Sequence, residues 1–361
     1  MFSTKIRVPE YSDDLPDLVR LVLDAEVSNI PSAELIFEDH EGGCFQLGGL
    51  VFSVKHSNIR ELIGDVILVN RERGSAERII RFQSNHNTLL ITERCDQVCV
   101  MCSQPPKDYE LDLFEVYERA VVNAAFGATI GVSGGEPLLY KERLFQLFEA
   151  CLAQRPDLSF HVLTNAQHLT SEDHKLWNAF PADRIRFAVP LYSSNSTVHD
   201  GIVGKDGAFD LAIQGIGVLL SGGFEVEIRT VIMKQNARQL IDLARMISWQ
   251  MPDINHWAIM QLEYIGFAKK NWEDIFFDHS LEVGGLVEAV GSAQQHGVPC
   301  VLYNMPLCTL PDNLRLLAPK TISDWKQKFF EMCDGCSAKS LCSGFFAWQP
   351  FEKSFRLMGP L

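Results

Sequence analysis

The sequence predicts an α/β fold, a partial (β/α)6 barrel of the TIM type, from two observations. From about residue 87 onward, short apolar runs alternate with longer amphipathic segments. Strand–helix units in succession imply a parallel sheet, because parallel strands need crossover connections. Six such units are fewer than the eight of a closed barrel, so we expect the barrel to stay open.

The elements of this barrel occupy residues 86–303. We expect strands at residues 88–92, 129–132, 159–163, 185–191, 225–233 and 256–264. We expect helices at residues 111–126, 141–154, 171–179, 208–220, 237–249 and 280–296. The carboxyl ends of these strands are the place to look for a site, since barrel enzymes build their active sites at that face.

The segments on either side of the barrel lack this rhythm. Residues 1–85 contain short β-branched runs at 49–55 and 65–70, which predict a partly β appendage. We expect an acidic helix within it, at residues 15–26. The tail, residues 304–361, combines several prolines with a group of cysteines and predicts a small extension stapled by metal.

Composition limits the class of protein. The 361 residues are 47% hydrophobic and 22% charged, which is typical of a globular chain with a sizeable core. A net charge of −14 repels phosphate backbones and argues against nucleic acid as a partner. The start lacks a signal peptide and no run of about 18 apolar residues occurs, so we expect a cytoplasmic protein without membrane contact. The cytosol keeps thiols reduced, so the ten cysteines predict metal sites rather than disulfides.

Cys95, Cys99 and Cys102 form the first cysteine group, with the spacing C-x3-C-x2-C directly after the first strand. Three thiolates on one loop can hold three corners of a [4Fe–4S] cube and leave one iron open. An open position is what a catalytic metal needs. The alternative is a structural zinc site that is completed by a distant ligand such as His86.

Gly134, Gly135, Glu136 and Pro137 follow the second strand. Glycines let the backbone approach a ligand closely, Glu136 can accept a hydrogen bond from an ammonium group, and Pro137 stiffens the exit. The alternative is an ordinary strand-to-helix turn.

Together these two motifs resemble those of the radical S-adenosylmethionine (SAM) superfamily, over residues 87–350. The resemblance implies that the open iron of a [4Fe–4S] cluster and the Gly-Gly-Glu-Pro turn bind SAM. An electron from the cluster would then cleave SAM, and the 5′-deoxyadenosyl radical would take a hydrogen atom from the substrate. Met101 stands where the superfamily usually has an aromatic residue near the adenine.

Weaker matches extend the expected SAM site. Thr164 and Asn165 end the third strand, where the superfamily often has Thr-Asn-Gly; the third residue here is Ala166. Ser193 follows the fourth strand, where the ribose and carboxylate of SAM usually lie in the superfamily. Arg229 on the fifth strand could pair with that carboxylate. Each of these residues is equally compatible with ordinary packing or capping.

The second cysteine group consists of Cys308, Cys333, Cys336 and Cys342, with the core spacing C-x2-C-x5-C. Four thiolates could hold a full auxiliary [4Fe–4S] cluster, and structural zinc is the alternative. The spacing resembles the auxiliary-cluster extensions called SPASM and twitch domains. Phe346 stands where a full SPASM extension has a further cysteine, so the resemblance implies the shorter form, with one cluster. A closed cluster cannot readily bind substrate, so we expect it to accept or relay an electron; the alternative is a folding staple.

Residues 103–106, 304–308 and 342–346 resemble the radical SAM maturase of the His-Xaa-Ser system. The resemblance implies a ribosomally made precursor peptide as substrate, its oxidative modification or crosslinking, a second radical SAM partner protein and an external electron donor. The N-terminal appendage would then grip the leader peptide or the partner, for which an exposed β edge would be suited, or act as a lid or a plain cap.

Two other classes of function stay open. One is a radical SAM enzyme that acts on a small molecule or on tRNA, although the acidic charge argues against tRNA. The other is a non-catalytic scaffold stapled by zinc. No general acid or base is assigned: Tyr303, Tyr264, Gln261 and His256 could face the cavity, and nothing in the sequence singles out one of them.

Overall fold

The computed structural model describes residues 5–9, 11–23, 28–109, 112–177 and 181–361. The chain divides into two compact units. The first unit comprises Met1–Ile91, Leu111–Ser133 and Tyr140–His161. The second unit comprises Thr92–Glu110, Gly134–Leu139 and Val162–Leu361.

A closed β-barrel begins the first unit. Its strands are β1 Lys5–Arg7, β2 Leu18–Val22, β3 Ser32–Glu38, β4 Gly42–Leu47, β5 Leu50–Lys55, β6 Val66–Asn70 and β7 Ser75–Ile80. They close in the order β1-β5-β4-β3-β2-β6-β7, antiparallel except for the parallel pair β2–β3. Phe45 stacks on Phe52 in the apolar interior, with ring centroids 5.8 Å apart. Closure pairs every described strand of this barrel on both sides, so it offers no free edge for an added strand.

The helix expected at residues 15–26 is wrong where the structure describes this segment. Residues 18–22 form β2, which pairs with β3 and β6 and buries four of its five residues. Leu, Val and a second Leu-Val pair around Arg20 fit a half-buried pleated surface, and pairing on both sides overrides the weak helical preference. Residues 24–27 lie outside the described part of the chain.

The first unit also holds the start of the α/β region. The elements are β8 Asn87–Leu90, α1 Phe114–Val121, β9 Thr129–Ser133 and α2 Lys141–Gln154, and β10 Ser159–Leu163 begins in this unit. Strands β8 and β9 pair in parallel. Asn123, just after α1, bonds to Ser28 at 2.9 Å and to Asn29 at 2.7 Å. Ser28 and Asn29, which precede β3, are therefore fixed to the end of α1.

The second unit continues the alternation. Its sheet strands are β11 Ile185–Pro190, β12 Glu225–Val231, β13 His256–Met260 and β14 Cys300–Tyr303, which pair successively in parallel. Its helices are α3 His174–Trp177, α4 Ser196–Val203, α5 Ala208–Ser221, α6 Leu240–Gln250, α7 Gly266–Lys270, α8 Trp272–Ile275, α9 Gly284–Gln295 and α10 Asp312–Arg315. The antiparallel pair β15 Gln327–Lys328 and β16 Phe345–Phe346 completes the unit.

These elements confirm the expected α/β class with parallel strands. The structure adds β14, a seventh strand of the series, and α4, where no helix was expected. The α4 helix begins at Asn195, whose side chain accepts a hydrogen bond from Val198 N at 3.3 Å, and ends at Gly204 with φ of 67°. The helix expected at 171–179 is a 3-10 turn followed by the short α3, and residues 178–180 lie outside the described part. None of the described helices is long and apolar enough to cross a membrane.

Candidate functional site

The first cysteine group lies in an irregular loop of the second unit. Burial, with a smaller contribution from the nearby Cys102 thiol, raises the pKa of Cys95 to about 11 and that of Cys99 to about 12. Burial also raises the pKa of Cys102. The three thiols are thus brought close together, in a setting where they keep their protons unless a metal displaces them. A raised pKa argues against the role of a reactive free nucleophile, which needs the thiolate form.

Backbone hydrogen bonds fix this loop to the end of α4. Val98 N donates to Val203 O at 3.0 Å, and Val100 N donates to Ile202 O at 2.9 Å. On its other side, Val100 O accepts from Asn271 Nδ2 at 2.8 Å. The cysteines are therefore held in place by two elements that lie far along the chain.

Asp96 is the centre of a polar network that sequence reasoning did not assign. It accepts a hydrogen bond from Asn165 Nδ2 at 3.0 Å, lies 3.2 Å from His168 Nε2, and forms an ion pair with Lys205. Although burial opposes it, hydrogen bonds from these three partners hold the pKa of Asp96 well below its usual range. Asn165 and Lys205 are 69 and 109 residues from Asp96 in the sequence, so no local sequence pattern predicts the network.

The Gly-Gly-Glu-Pro turn packs directly against the start of the cysteine loop. Gly135 N donates to Thr92 O at 2.7 Å, and Glu136 N donates to Arg94 O at 2.8 Å. A Cβ on Gly135 would lie 2.0 Å from Arg94 O, and one on Gly134 would lie 2.8 Å from Thr92 O. Only glycine permits this approach of two backbones, so the structure brings the two motifs together as one site.

The Glu136 carboxylate is buried and already partly satisfied. It accepts from Thr164 Oγ1 at 2.5 Å, from Asn165 N at 2.7 Å and from Leu138 N at 2.8 Å. Burial raises its pKa to about 6. A carboxylate has about four acceptor positions, so about one position stays available for an ammonium donor. Pro137 is buried and opens a 3-10 turn, as a stiff exit requires.

Met101 lies in an apolar cluster together with Tyr192 and Trp272. The Tyr192 phenol is fully buried, and burial, together with the nearby thiols of Cys99 and Cys102, raises its pKa well above the usual value. An aromatic ring is therefore present beside Met101, on the segment that follows β11.

Ser193 and Arg229, both expected near SAM, have protein partners. Ser193 Oγ donates to Gln239 Oε1 at 2.8 Å. Arg229 Nε donates to Glu227 Oε1 at 2.6 Å. Their assignment to SAM stays a prediction.

A second buried polar cluster lies on β12, β13 and β14. Glu227 is only 1% exposed, and its Oε2 is 3.7 Å from His256 Nε2. His256 Nε2 is also 3.3 Å from the Tyr303 hydroxyl. Tyr303 and His256 were named from the sequence as possible cavity residues. Glu227 was not, because a lone glutamate in an apolar strand carries no motif.

The four cysteines of the second group also meet. Burial raises the pKa of Cys308, and the thiols of Cys342 and Cys333 raise it further. Burial likewise raises the pKa of Cys333, which also senses Cys342 and Cys336. Cys308 lies in the turn after β14. Cys333 and Cys342, which come later in the sequence, lie near it in the fold.

Backbone amides point at two of these sulfurs. Cys342 Sγ accepts from Leu307 N and Gly344 N, both at 3.3 Å. Cys336 Sγ accepts from Leu361 N at 3.3 Å. Such donors stabilise thiolates, and in iron–sulfur proteins they tune the reduction potential. The donor set therefore fits a metal cluster.

The described residues contain no group of three or more His, Cys, Asp or Glu side chains arranged to hold a single metal ion.

Known proteins match part of the chain. Residues 89–247 match the sequence model of the Radical SAM superfamily. The Fe-coproporphyrin III synthase of Methanosarcina barkeri is 26% identical over 232 residues, which are 61% of this chain and 56% of that protein. The AdoMet-dependent heme synthase of the same organism is 29% identical over 157 residues, 42% of this chain and 43% of that protein. The chain thus spans about half the length of the curated relatives it matches.

Solved structures show a partial likeness. Streptococcus suis SuiB bound to S-adenosylmethionine superposes with a TM-score of 0.49 at 17% identity, over 60% of this chain and 49% of that one. The anSMEcpe protein with bound AdoMet and Kp18Cys peptide gives 0.44 at 16% identity, over 59% and 63% of the two chains. The family match over residues 89–247 coincides with the part of the chain in which the cysteine loop and the glycine turn bond to each other. This part of the chain is thus similar in sequence to the radical SAM superfamily.

Proposed function

We propose that this chain is a radical SAM enzyme whose Cys95, Cys99 and Cys102 hold a [4Fe–4S] cluster. The observation that carries the proposal is the pair of backbone hydrogen bonds from Gly135 and Glu136 to the start of the cysteine loop. When bound, the cluster and SAM supply one-electron cleavage of SAM, and so a carbon radical that takes hydrogen atoms from substrates.

The residues of the chain would bind SAM, hold the cysteine loop in place and exclude water from the site. Glu136 is held by three donors, and its available acceptor position suits the ammonium group of SAM. Asp96 ties the cysteine loop to Asn165 and Lys205, which keeps the ligands in register. Met101 and Tyr192 form an apolar wall that excludes water.

The test is SAM cleavage by protein that is reconstituted with iron and sulfide without oxygen. The wild-type protein should form 5′-deoxyadenosine when a reductant is added. Cys99→Ala should form none, whereas Cys44→Ala, a substitution in the N-terminal barrel, should behave like wild type. Equal activity of wild type and Cys99→Ala would refute the assignment.

We further infer that Cys308, Cys333, Cys336 and Cys342 hold an auxiliary [4Fe–4S] cluster. Support comes from the proximity of the four thiols and from the three amide donors that point at Cys336 and Cys342. A cluster with four cysteine ligands has no open iron, so its role is to accept or relay an electron from the oxidised substrate.

The substrate that we propose is a ribosomally made precursor peptide with His-Xaa-Ser repeats. Support comes from the resemblance of residues 103–106, 304–308 and 342–346 to maturases of that system. The proposal includes a second radical SAM protein as partner and an external electron donor. A synthetic repeat peptide should lose hydrogen atoms, seen as a mass decrease, only when SAM and reductant are present.

The sequence relatives favour a second candidate. Both curated matches have names that refer to tetrapyrroles, Fe-coproporphyrin III synthase and AdoMet-dependent heme synthase. A small-molecule substrate of that class would raise 5′-deoxyadenosine formation when Fe-coproporphyrin III is added and leave the peptide unchanged. The two substrates, assayed side by side, decide between the candidates.

A further inference from the structure

Gln261 is a buried glutamine with one terminal atom unsatisfied. It follows β13, at the carboxyl end of a parallel strand, and is 5% exposed. Its Oε1 lies 2.9 Å from His279 Nδ1. Within the described part of the chain, its Nε2 has no hydrogen-bond partner. A buried amide group without a partner costs free energy, so a ligand that satisfies it would bind more tightly.

Gln261 lines a small cavity whose other walls come from the barrel and from the C-terminal extension. Leu262 and Trp272 form one wall and belong to the apolar cluster that contains Met101. Phe345 and Phe346 form another, a few residues after Cys342. The cavity has a volume of about 10 Å³, which is room for one group the size of a water molecule. It therefore admits a single polar group.

A chain of hydrogen bonds fixes which atom Gln261 presents. Thr309 Oγ1 lies 2.7 Å from Pro306 O and 2.8 Å from His279 Nε2. A carbonyl oxygen only accepts, so the Thr309 hydroxyl proton must lie between the two oxygens. His279 Nε2 must then donate to Thr309.

The tautomer of His279 determines which end of the Gln261 amide group faces the imidazole ring. Burial lowers the pKa of His279 to about 4, so the ring is neutral near pH 7 and its one proton is on Nε2. Its Nδ1 is then an acceptor and needs the amide N–H of Gln261, not the oxygen. A half-turn of the amide, which leaves its shape almost unchanged, provides this bond. The unsatisfied atom that remains is the oxygen.

We propose that Gln261 presents its carbonyl oxygen to this cavity as a fixed acceptor for an N–H group of the substrate backbone. The inference rests on the proposed peptide substrate, whose backbone supplies N–H donors that can reach the acceptor from the mouth of the cavity. Gln261 is a positioning residue: it orients the peptide at this cavity and takes no part in hydrogen transfer.

The test measures the dissociation constant of a synthetic His-Xaa-Ser repeat peptide with cluster-loaded protein and SAM. Gln261→Met should weaken binding about fivefold, the equivalent of one hydrogen bond of about 1 kcal/mol. Gln261→Glu should bind within about twofold of wild type, because both of its oxygens accept and His279 takes up a proton to pair with it.

A second variant changes the orientation of the Gln261 amide group without altering a residue that lines the cavity. Thr309→Val removes the hydroxyl that orients His279, so the ring can move its proton to Nδ1 and turn the amide N–H group toward the cavity. It should weaken peptide binding as Gln261→Met does. Gln154→Met, the same change at an exposed position of α2, should leave binding unchanged. Thermal unfolding of every variant checks that it is folded.

Three outcomes would overturn the inference. Equal losses in Gln261→Met and Gln261→Glu would show that the amide N–H group faces the substrate. Unchanged binding in both would place the peptide away from Gln261. A wild-type protein that binds no peptide would refute the proposed substrate itself, which separates that failure from the other two.

Discussion

At the residue scale, two glycines differ in whether the structure leaves room for a side chain. Gly135 lies against the Arg94 carbonyl, where an added Cβ would be 2.0 Å from the oxygen. Gly217 lies in α5 with no atom within 4 Å of such a Cβ. A substitution of Gly135 therefore tests the contact between the glycine turn and the cysteine loop, and the same substitution at Gly217 is its matched control.

Gly135→Ala should abolish SAM cleavage, because the turn and the cysteine loop must move apart to admit the methyl group. Gly217→Ala should keep full activity and raise the free energy of unfolding by about 0.5–1 kcal/mol, since alanine favours a helix over glycine. Deoxyadenosine formation and denaturant unfolding check the pair. An active Gly135→Ala protein would contradict the joined site.

The ion pair of His168 with Asp96 predicts a pH dependence of stability. The hydrogen bond that His168 donates to the Asp96 carboxylate raises the pKa of His168 in the folded protein. Such a group contributes stability fully below its unfolded pKa of about 6.5, and the contribution is lost as the pH rises through the higher folded pKa. The free energy of unfolding of wild type should fall across that window.

His168→Gln should lack this fall, whereas His40→Gln should keep it, because His40 is exposed. Denaturant unfolding at several pH values measures the difference. Parallel pH profiles of wild type and His168→Gln would show that the ion pair does not contribute to stability.

Prediction from sequence singles out residues whose chemistry is local. Spacing singles out Cys95, Cys99 and Cys102, and composition singles out Gly134 to Pro137; the roles of these residues stay predictions. Prediction failed for Asp96, His168 and Lys205, since their contacts join segments that are far apart in the chain. Glu227, buried beside His256, was missed for the same reason.

At the element scale, periodicity predicted the long helices well. The α2 helix has the expected bounds because its apolar residues recur at helical spacing and bury one face. Short elements were harder: β2 was assigned to a helix, and β14 was missed because its four residues are too few for a pattern. Pairing with neighbouring strands, which the sequence does not display, decides such segments.

The C-terminal extension is the element with the clearest functional prediction. Cys308→Ala and Cys333→Ala should each keep SAM cleavage but lose the peptide product, because an auxiliary cluster acts after hydrogen abstraction. Cys300→Ala, a substitution of a buried cysteine on β14 outside the group, should keep both activities. Mass spectrometry of the peptide and deoxyadenosine assays give the two readouts. Normal product from the two variants would rule out the relay.

At the scale of the whole molecule, the chain combines two groups of cysteines with an N-terminal β-barrel. The net charge of −14 agrees with a substrate other than nucleic acid. The closed β-barrel lacks a free edge among its described strands, so a role in gripping a leader peptide would use its outer side chains.

The central claim is that the chain carries two iron–sulfur clusters, and metal content tests it most directly. Protein that is purified and reconstituted without oxygen should contain about eight irons and matching sulfide per chain, four for each cube, with a brown visible spectrum. Four irons with one zinc would limit the iron–sulfur assignment to Cys95, Cys99 and Cys102 and would make the second cysteine group a zinc site. Zinc alone, in colourless protein, would contradict the account and favour a scaffold stapled by zinc.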